Sequence, residues 1–207
     1  MKRRVGVLLA GCGALDGTDP FEAVFTFEAI QELGHEAVPV VADLEQMHVV
    51  DHNSGDELPG PTRRMAQESG RLAFGRLFYI NDLAPSLLDA IVIPGGQGAV
   101  KNLLSNFGAP ESPRVPPDIR GFLESLHSAG GAVGALSLGE FVLNAVFEPG
   151  PDQPGSLELD AGAVWSDPVR RLALAPGHLI PSSLPDLRRG IRALVSVLLQ
   201  MAEASRP

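Results

Sequence analysis

The stretch Ala90-Ile91-Val92-Ile93-Pro94-Gly95-Gly96-Gln97-Gly98 decides the fold, together with Ala132-Val133-Gly134-Ala135-Leu136-Ser137-Leu138-Gly139. In each stretch a short apolar run reaches a turn that leads into a predicted helix. Neighbouring parallel strands end at the same edge of a sheet, where open α/β folds place their active sites. The first turn offers bare backbone amides, and the second presents the side chain of Ser137 at a sharp bend. We therefore expect the function to depend on Ser137.

The rest of the chain alternates apolar strands with amphipathic helices. The predicted strands are residues 5–10, 37–41, 90–93, 132–136 and 171–175, and the predicted helices are residues 20–33, 62–74, 117–129, 138–147 and 184–202. Asp19 and Pro20 mark the first helix start and Gly34 its end, while residues 47–58 predict a surface hairpin. This alternation predicts one doubly wound α/β domain over residues 1–207, with a mostly parallel, flavodoxin-like sheet flanked by helices.

Composition and charge exclude several classes of function. The net charge of −9 over 207 residues argues against a nucleic-acid partner, because phosphate binding needs a basic face. No apolar run approaches the roughly 20 residues that span a bilayer, so we expect no membrane partner. Residues 1–10 resemble the start of a signal peptide, but the apolar part is short and acidic residues follow. We interpret it as a buried strand and expect a cytoplasmic protein.

The sequence gives little indication of a cofactor site or a metal site. The glycines of Gly11-x-Gly13-x-x-x-Gly17 depart from dinucleotide-binding spacing, and the acids beside them disfavour a pyrophosphate. A single cysteine, Cys12, excludes an internal disulfide and cysteine-based zinc sites. His48 and His52 fall on a strand and its turn, which separates the two rings. We expect neither a cofactor nor a metal.

Four segments carry a resemblance to a known family. They are Gly11-Cys12-Gly13 with Asp16-Gly17 and Glu22-Ala23-Val24, then Asn53-Ser54-Gly55, then Pro94-Gly95-Gly96 with Gly98-Ala99 and Lys101-Asn102-Leu103, and the turn at Ser137. On these residues the chain resembles the ThiJ/PfpI superfamily, which has the class I glutamine amidotransferase-like fold. The closer match is its ElbB-like branch of isoprenoid or enhancing lycopene biosynthesis proteins. The resemblance implies a homodimer.

The resemblance also implies a chemistry. Such proteins are glyoxalase-like: a cysteine on the strand-to-helix turn, assisted by an acid from the first helix, converts an α-ketoaldehyde to a hydroxy acid. By position Ser137 replaces that cysteine, Glu22 matches the acid, and the amides of Gly95 and Gly96 match the oxyanion site. The rest of the predicted oxyanion and substrate-binding set is Leu138, Cys12 and Lys101.

The serine leaves three functions open. A serine hydroxyl is far more basic than a thiol and needs a positioned general base, so cysteine-type chemistry should be lost or severely slowed. In the first alternative the fold is retained and the pocket is inactive or binds a small carbonyl metabolite. In the second, residual glyoxalase-like or hydratase-like activity uses another group. The third alternative is a serine hydrolase, because Asp167 and His178 follow Ser137 in the order of an α/β-hydrolase.

Three further residues each allow two interpretations. Glu22 either faces the pocket or complements the start of its helix. Cys12 is either a substitute nucleophile or a small buried apolar residue. Lys101 is either an anion-binding cation near the pocket or a solvated helix residue.

Overall fold

The computed structural model describes residues 1–73, 76–106, 113–180 and 183–204. Its strands are β1 (Arg4–Leu9), β2 (Glu36–Val41), β3 (Phe78–Tyr79), β4 (Ala90–Ile93), β5 (Ala132–Leu136), β6 (Trp165–Asp167) and β7 (Leu172–Ala175). Its helices are α1 (Pro20–Glu32), α2 (Met65–Ser69), α3 (Gln97–Asn102), α4 (Pro117–Ser128), α5 (Gly139–Phe147) and α6 (Leu184–Ala204). No helix within these ranges combines the length and the apolar character needed to cross a membrane.

All seven strands form one sheet, in the order β3-β2-β1-β4-β5-β7-β6. Every neighbouring pair is parallel except β6 with β7. The chain adds β2 on one side of β1 and β4 on the other, so the winding direction reverses beside β1. The predicted doubly wound, mostly parallel α/β sheet is confirmed. Its reversal places the carboxyl ends of β1, β4 and β5 at one edge.

The central strands form because their sequences are apolar on both faces. Val5, Val7 and Leu9 face one side of β1, and every residue of β4 and of β5 is buried. Helices α1 and α6 cover one face of the sheet with an apolar cluster, and α3, α4 and α5 cover the other. Burying a Val or Leu side chain completely stabilises the fold by about 1.5–3 kcal/mol. The edge that carries the strand ends is therefore fixed by two packed layers.

The first helix begins where the sequence predicts. The Asp19 side chain accepts hydrogen bonds from the amides of Phe21 and Glu22, and Pro20 occupies the first turn. Glu22 does not close a capping box, because both of its carboxylate oxygens bond to backbone amides of other segments. The start of α1 thus places the Glu22 side chain inside the protein, near the carboxyl ends of the central strands.

The predicted helix over residues 62–74 is wrong at its start. The observed helix α2 begins at Met65, and Thr62 does not cap it. Arg63 and Arg64 are extended instead, because the Arg63 carbonyl accepts the Gln46 amide at 2.8 Å and Arg64 bridges to Glu45. The prediction is wrong at its end as well, because α2 ends at Ser69 and residues 70–73 form a turn; residue 74, the predicted end, lies outside the described residues.

The surface hairpin is confirmed and rests on the loop after β1. Val50 pairs with Glu57 across the turn, and the Leu58 amide donates to the Val49 carbonyl at 2.8 Å. The Val50 amide also donates to Asp16 Oδ2 at 2.9 Å.

The two edge strands β3 and β6 have two and three residues, too short for the apolar pattern to predict them.

Candidate functional site

Ser137 stands at a strained turn between β5 and α5. Its φ of +44° lies in the left-handed region, and the residue is 3% exposed. The turn is held from both sides: the Ser137 amide donates to the Ala175 carbonyl at 3.1 Å, and Ser156 Oγ donates to the Ser137 carbonyl at 3.3 Å. A non-glycine residue in this conformation costs roughly 1–3 kcal/mol and is found mostly at functional sites. The packing therefore fixes the position of the Ser137 side chain.

Gly95 makes room for the Ser137 hydroxyl. A Cβ atom built on Gly95 would lie 1.6 Å from Ser137 Oγ and 3.0 Å from both Ser137 Cβ and the Leu138 amide nitrogen. Gly95 is not among the residues with positive φ, so its lack of a side chain is what matters here. The turn after β4 and the turn after β5 thus touch at Gly95 and Ser137, as the two sequence stretches predict.

The side chain of Glu22 extends from α1 to the contact between Gly95 and Ser137, and it is completely buried. Its Oε2 accepts the Gly95 amide at 2.6 Å, and its Oε1 accepts the His178 amide at 2.7 Å. Burial raises the pKa of this carboxyl; the two amides, and more weakly the Ser137 hydroxyl, oppose that rise, while the nearby Asp19 carboxylate adds to it. Both carboxylate oxygens of Glu22 are already engaged by backbone amides, so Glu22 is a poor proton acceptor for Ser137.

The backbone amides around Ser137 divide into two groups. The Gly95 amide is occupied by Glu22 and is not directed at a ligand. The amides of Gly96 and Leu138 have no hydrogen-bond partner in the described part of the chain. Two free donors beside Ser137 are suited to a carbonyl oxygen that gains negative charge.

Asp19 and His178 form a pair that the sequence analysis did not predict. Asp19 Oδ2 lies 2.9 Å from His178 Nδ1, while Asp19 Oδ1 caps α1. The side chain of Asp19 is 8% exposed and that of His178 is 35% exposed. Phe21 packs edge-on against the imidazole, with ring centroids 5.8 Å apart. The capping signal at Asp19 was visible in the sequence, but nothing there indicated that its second oxygen meets a histidine from beyond β7.

These groups line one cavity of about 320 Å³ at the carboxyl edge of the sheet. Its lining residues are Ala14, Asp19, Glu22, Gly96, Gln97, Ser137, Leu138, His178 and Leu179. The structure therefore brings together the predicted Ser137, Glu22, Gly96 and Leu138, with Gly95 directly behind Ser137.

Cys12 and Lys101 lie outside this lining. Cys12 packs beside an apolar cluster in the loop after β1. Burial, and secondly the Glu68 carboxylate, raise the pKa of its thiol, which disfavours the reactive thiolate. Lys101 Nζ donates to the Leu15 carbonyl at 2.9 Å and fastens that loop to α3.

Asp167 lies on the edge strand β6, and its Oδ1 accepts the Arg170 amide at 3.0 Å. It is not among the residues that line the cavity with Ser137. The hydrolase hypothesis grouped His178 with Asp167, whereas the carboxylate that contacts His178 in the structure is that of Asp19.

A second groove, of about 520 Å³, lies between α1 and α6. Its arginines already pair with acids, as Arg188 does with Glu28 and Glu32. It contains no strained or buried reactive side chain, so we take the Ser137 cavity as the candidate site. Across the described ranges, no group of three or more His, Cys, Asp and Glu residues is arranged to hold a metal ion.

Two mitochondrial proteins are among the curated relatives. The human glutamine amidotransferase-like class 1 domain-containing protein 3 is 32% identical over 162 residues, which are 78% of this chain and 60% of that protein. The rat ES1 protein homolog is 26% identical over 97% of this chain and 84% of its own length. This chain thus spans less than two thirds of the human relative. No protein-family model matches it.

Two solved structures share the architecture. An isoprenoid biosynthesis protein with an amidotransferase-like domain from Ehrlichia chaffeensis superposes with a TM-score of 0.85 at 24% identity, covering 95% of this chain and 99% of the other. A DJ-1 superfamily protein from Salmonella typhimurium superposes with a TM-score of 0.55 at 18% identity, covering 98% and 95%. At these identities the likeness establishes the fold alone.

The chain therefore has the class I glutamine amidotransferase-like fold of the DJ-1/ThiJ/PfpI proteins, with a buried serine at the turn after the central strand. In sequence it is similar to the ES1 proteins. The expectation of a cytoplasmic protein is wrong on this comparison, because both curated relatives above, and the zebrafish ES1 protein as well, are mitochondrial. The acidic residues after residue 10 were too weak a sign to assign a compartment.

Proposed function

We propose that the chain is an ElbB-like, glyoxalase-like protein that binds a small carbonyl compound but has lost the cysteine-type turnover. In this proposal Ser137 occupies the position of the family's nucleophilic cysteine, and Glu22 that of its assisting acid. The arrangement around Glu22 carries the proposal, because a buried carboxyl whose two oxygens already accept backbone amides is poorly suited to take a proton from Ser137.

The cavity lining supports an uncharged ligand. It contains two acids, Asp19 and Glu22, and His178 is its only basic side chain among the described residues. A carboxylate or phosphate would meet negative charge there, whereas a neutral aldehyde or ketone would not. Gly96 and Leu138 line the cavity, and their amides, which have no hydrogen-bond partner among the described residues, are available to donate to its carbonyl oxygen.

The loss of turnover follows from the difference between sulfur and oxygen. A thiol has a pKa of about 8.5, so a helix start and nearby donors are enough to produce the thiolate. The hydroxyl of Ser137 does not ionise under the same influence and needs a base in contact with it. Glu22 is unsuited to that task, since each of its carboxylate oxygens already accepts a backbone amide.

Binding of methylglyoxal to the purified protein tests the proposal. We expect saturable shifts in an amide NMR spectrum at Gly96 and Leu138, unchanged in Cys12→Ser, which lies outside the cavity. Absence of saturable shifts, or shifts confined to another region, would overturn the binding proposal. Turnover of methylglyoxal by the wild-type protein that Ser137→Ala abolishes would overturn the proposed loss of activity.

A further inference from the structure

We infer that the cavity also hydrolyses small uncharged esters, with Ser137 as nucleophile, His178 as general base and Asp19 as the residue that positions His178. The inference rests on the proposed pocket for a carbonyl compound and names a second class of substrate for it. It replaces Asp167 of the sequence-based hypothesis with an acid from the opposite end of the chain.

The contact between Asp19 and His178 determines which ring nitrogen of the neutral imidazole carries the proton. The Asp19 carboxylate accepts the proton on His178 Nδ1 over 2.9 Å. In the neutral ring this leaves Nε2 without a proton, which is the tautomer that a general base needs. No hydrogen bond occupies Nε2 within the described ranges. Asp19 is itself fixed, because its other oxygen caps α1.

The backbone of the same segment brings His178 next to Ser137. A Cβ built on Gly177 would lie 3.2 Å from Ser137 Cβ and 2.4 Å from Glu22 Oε1. The His178 amide is anchored on Glu22, the acid beside the serine hydroxyl. Glu22 therefore connects the backbone of His178 to the surroundings of Ser137, and both residues line one cavity.

The oxyanion site of this reaction differs from the one predicted from the sequence. The Gly95 amide is taken by Glu22, so the donors are the free amides of Leu138 and Gly96. The amide that follows the nucleophile is also the donor that serine hydrolases of the α/β class use. Each such donor contributes about 10²–10³-fold to the rate in a well-studied serine protease.

The steps balance without a further reactant except water. Ser137 Oγ forms a bond to the ester carbonyl carbon as its proton passes to His178 Nε2. The tetrahedral intermediate expels the alcohol, which takes that proton, and an acyl-serine remains. Water then attacks the acyl carbon and gives a proton to Nε2. The carboxylic acid leaves as Ser137 Oγ recovers the proton.

The test is hydrolysis of p-nitrophenyl acetate, combined with mass-spectrometric mapping of the adduct that a fluorophosphonate leaves. We expect one adduct, on the peptide that carries Ser137, and none in Ser137→Ala. His178→Gln should lower the rate of acylation at least about 100-fold. Asp167→Asn, which alters an acid outside the cavity, should react like the wild-type protein.

Asp19→Asn separates positioning from folding. Asparagine is as good a helix cap as aspartate, so the start of α1 is preserved. We expect kcat to fall about 100-fold while KM changes less than about twofold, because the amide no longer holds the reactive tautomer. A fall in thermal stability with unchanged kcat would instead make the contact structural and overturn the role of Asp19.

The outcomes for the two proposals are distinguishable on the same preparations. Methylglyoxal binding without any fluorophosphonate adduct on Ser137 overturns the hydrolase and leaves the proposed function standing. An adduct on Ser137 without methylglyoxal binding overturns the proposed function and leaves the hydrolase standing. Labelling of His178→Gln at the wild-type rate overturns the hydrolase as well.

Discussion

Replacing Gly95 by alanine should destabilise the protein because of one contact. The new Cβ would lie 1.6 Å from Ser137 Oγ, whereas ordinary contacts of a Cβ begin at 3.4 Å. The hydroxyl would have to move by the difference, 1.8 Å. A change of side-chain rotamer does not suffice, because Ser137 Cβ and the Leu138 nitrogen are also only 3.0 Å away.

The expected cost of Gly95→Ala is about 3 kcal/mol, at the upper end for overpacking a buried site. For a chain of this size that corresponds to a fall in Tm of roughly 6–12 °C. In a Ser137→Gly background the nearest clash is removed, and the same substitution should cost about 1 kcal/mol. The coupling free energy between the two positions is then about 2 kcal/mol.

Urea unfolding of the four proteins at 25 °C, followed by circular dichroism, measures this cycle. Ser137→Gly alone should be neutral or slightly stabilising, since φ of +44° favours glycine. Equal costs of Gly95→Ala in both backgrounds would refute the argument, because they would show that the hydroxyl does not occupy the space beside Gly95.

Three smaller perturbations test other contacts of the site. Burial raises the pKa of Glu22 in the folded protein, so the wild type should gain stability relative to Glu22→Gln as the pH falls toward the ordinary pKa of a glutamate carboxyl; urea unfolding that gives a constant difference would contradict this. Ser156→Ala should cost about 1 kcal/mol by calorimetry, because the Ser137 carbonyl loses a buried hydrogen bond. Lys101→Met should cost about 1–2 kcal/mol in urea unfolding, through the lost bond to Leu15, without weakening methylglyoxal binding; weaker binding would make Lys101 a pocket residue.

The sequence predicted the parts of the fold that depend on long apolar patterns. Strands β1, β4 and β5 are buried on both faces, and such runs have few alternatives. The start of α1 was predicted as well, because Asp19 and Pro20 act locally. The start of α2 was missed because Arg63 and Arg64 pair with a distant segment, and local patterns do not report such pairing.

The candidate site was likewise predictable only where it depends on local sequence. Ser137 and the glycines could be found because turns after buried strands have recognisable compositions. The contact of Asp19 with His178 joins residues 159 positions apart, and the occupation of the Gly95 amide by Glu22 spans 73. Both depend on the assembled sheet. They also change the chemistry, since one supplies a base and the other removes an oxyanion donor.

The most direct test of the account is methylglyoxal turnover by Ser137→Cys beside the wild-type protein. The account predicts that cysteine in this buried, strained turn raises turnover at least about 100-fold above the wild type, since a thiol ionises far more readily than the hydroxyl of Ser137. Wild-type turnover equal to that of Ser137→Cys, or no turnover by Ser137→Cys when it folds normally, would contradict the account.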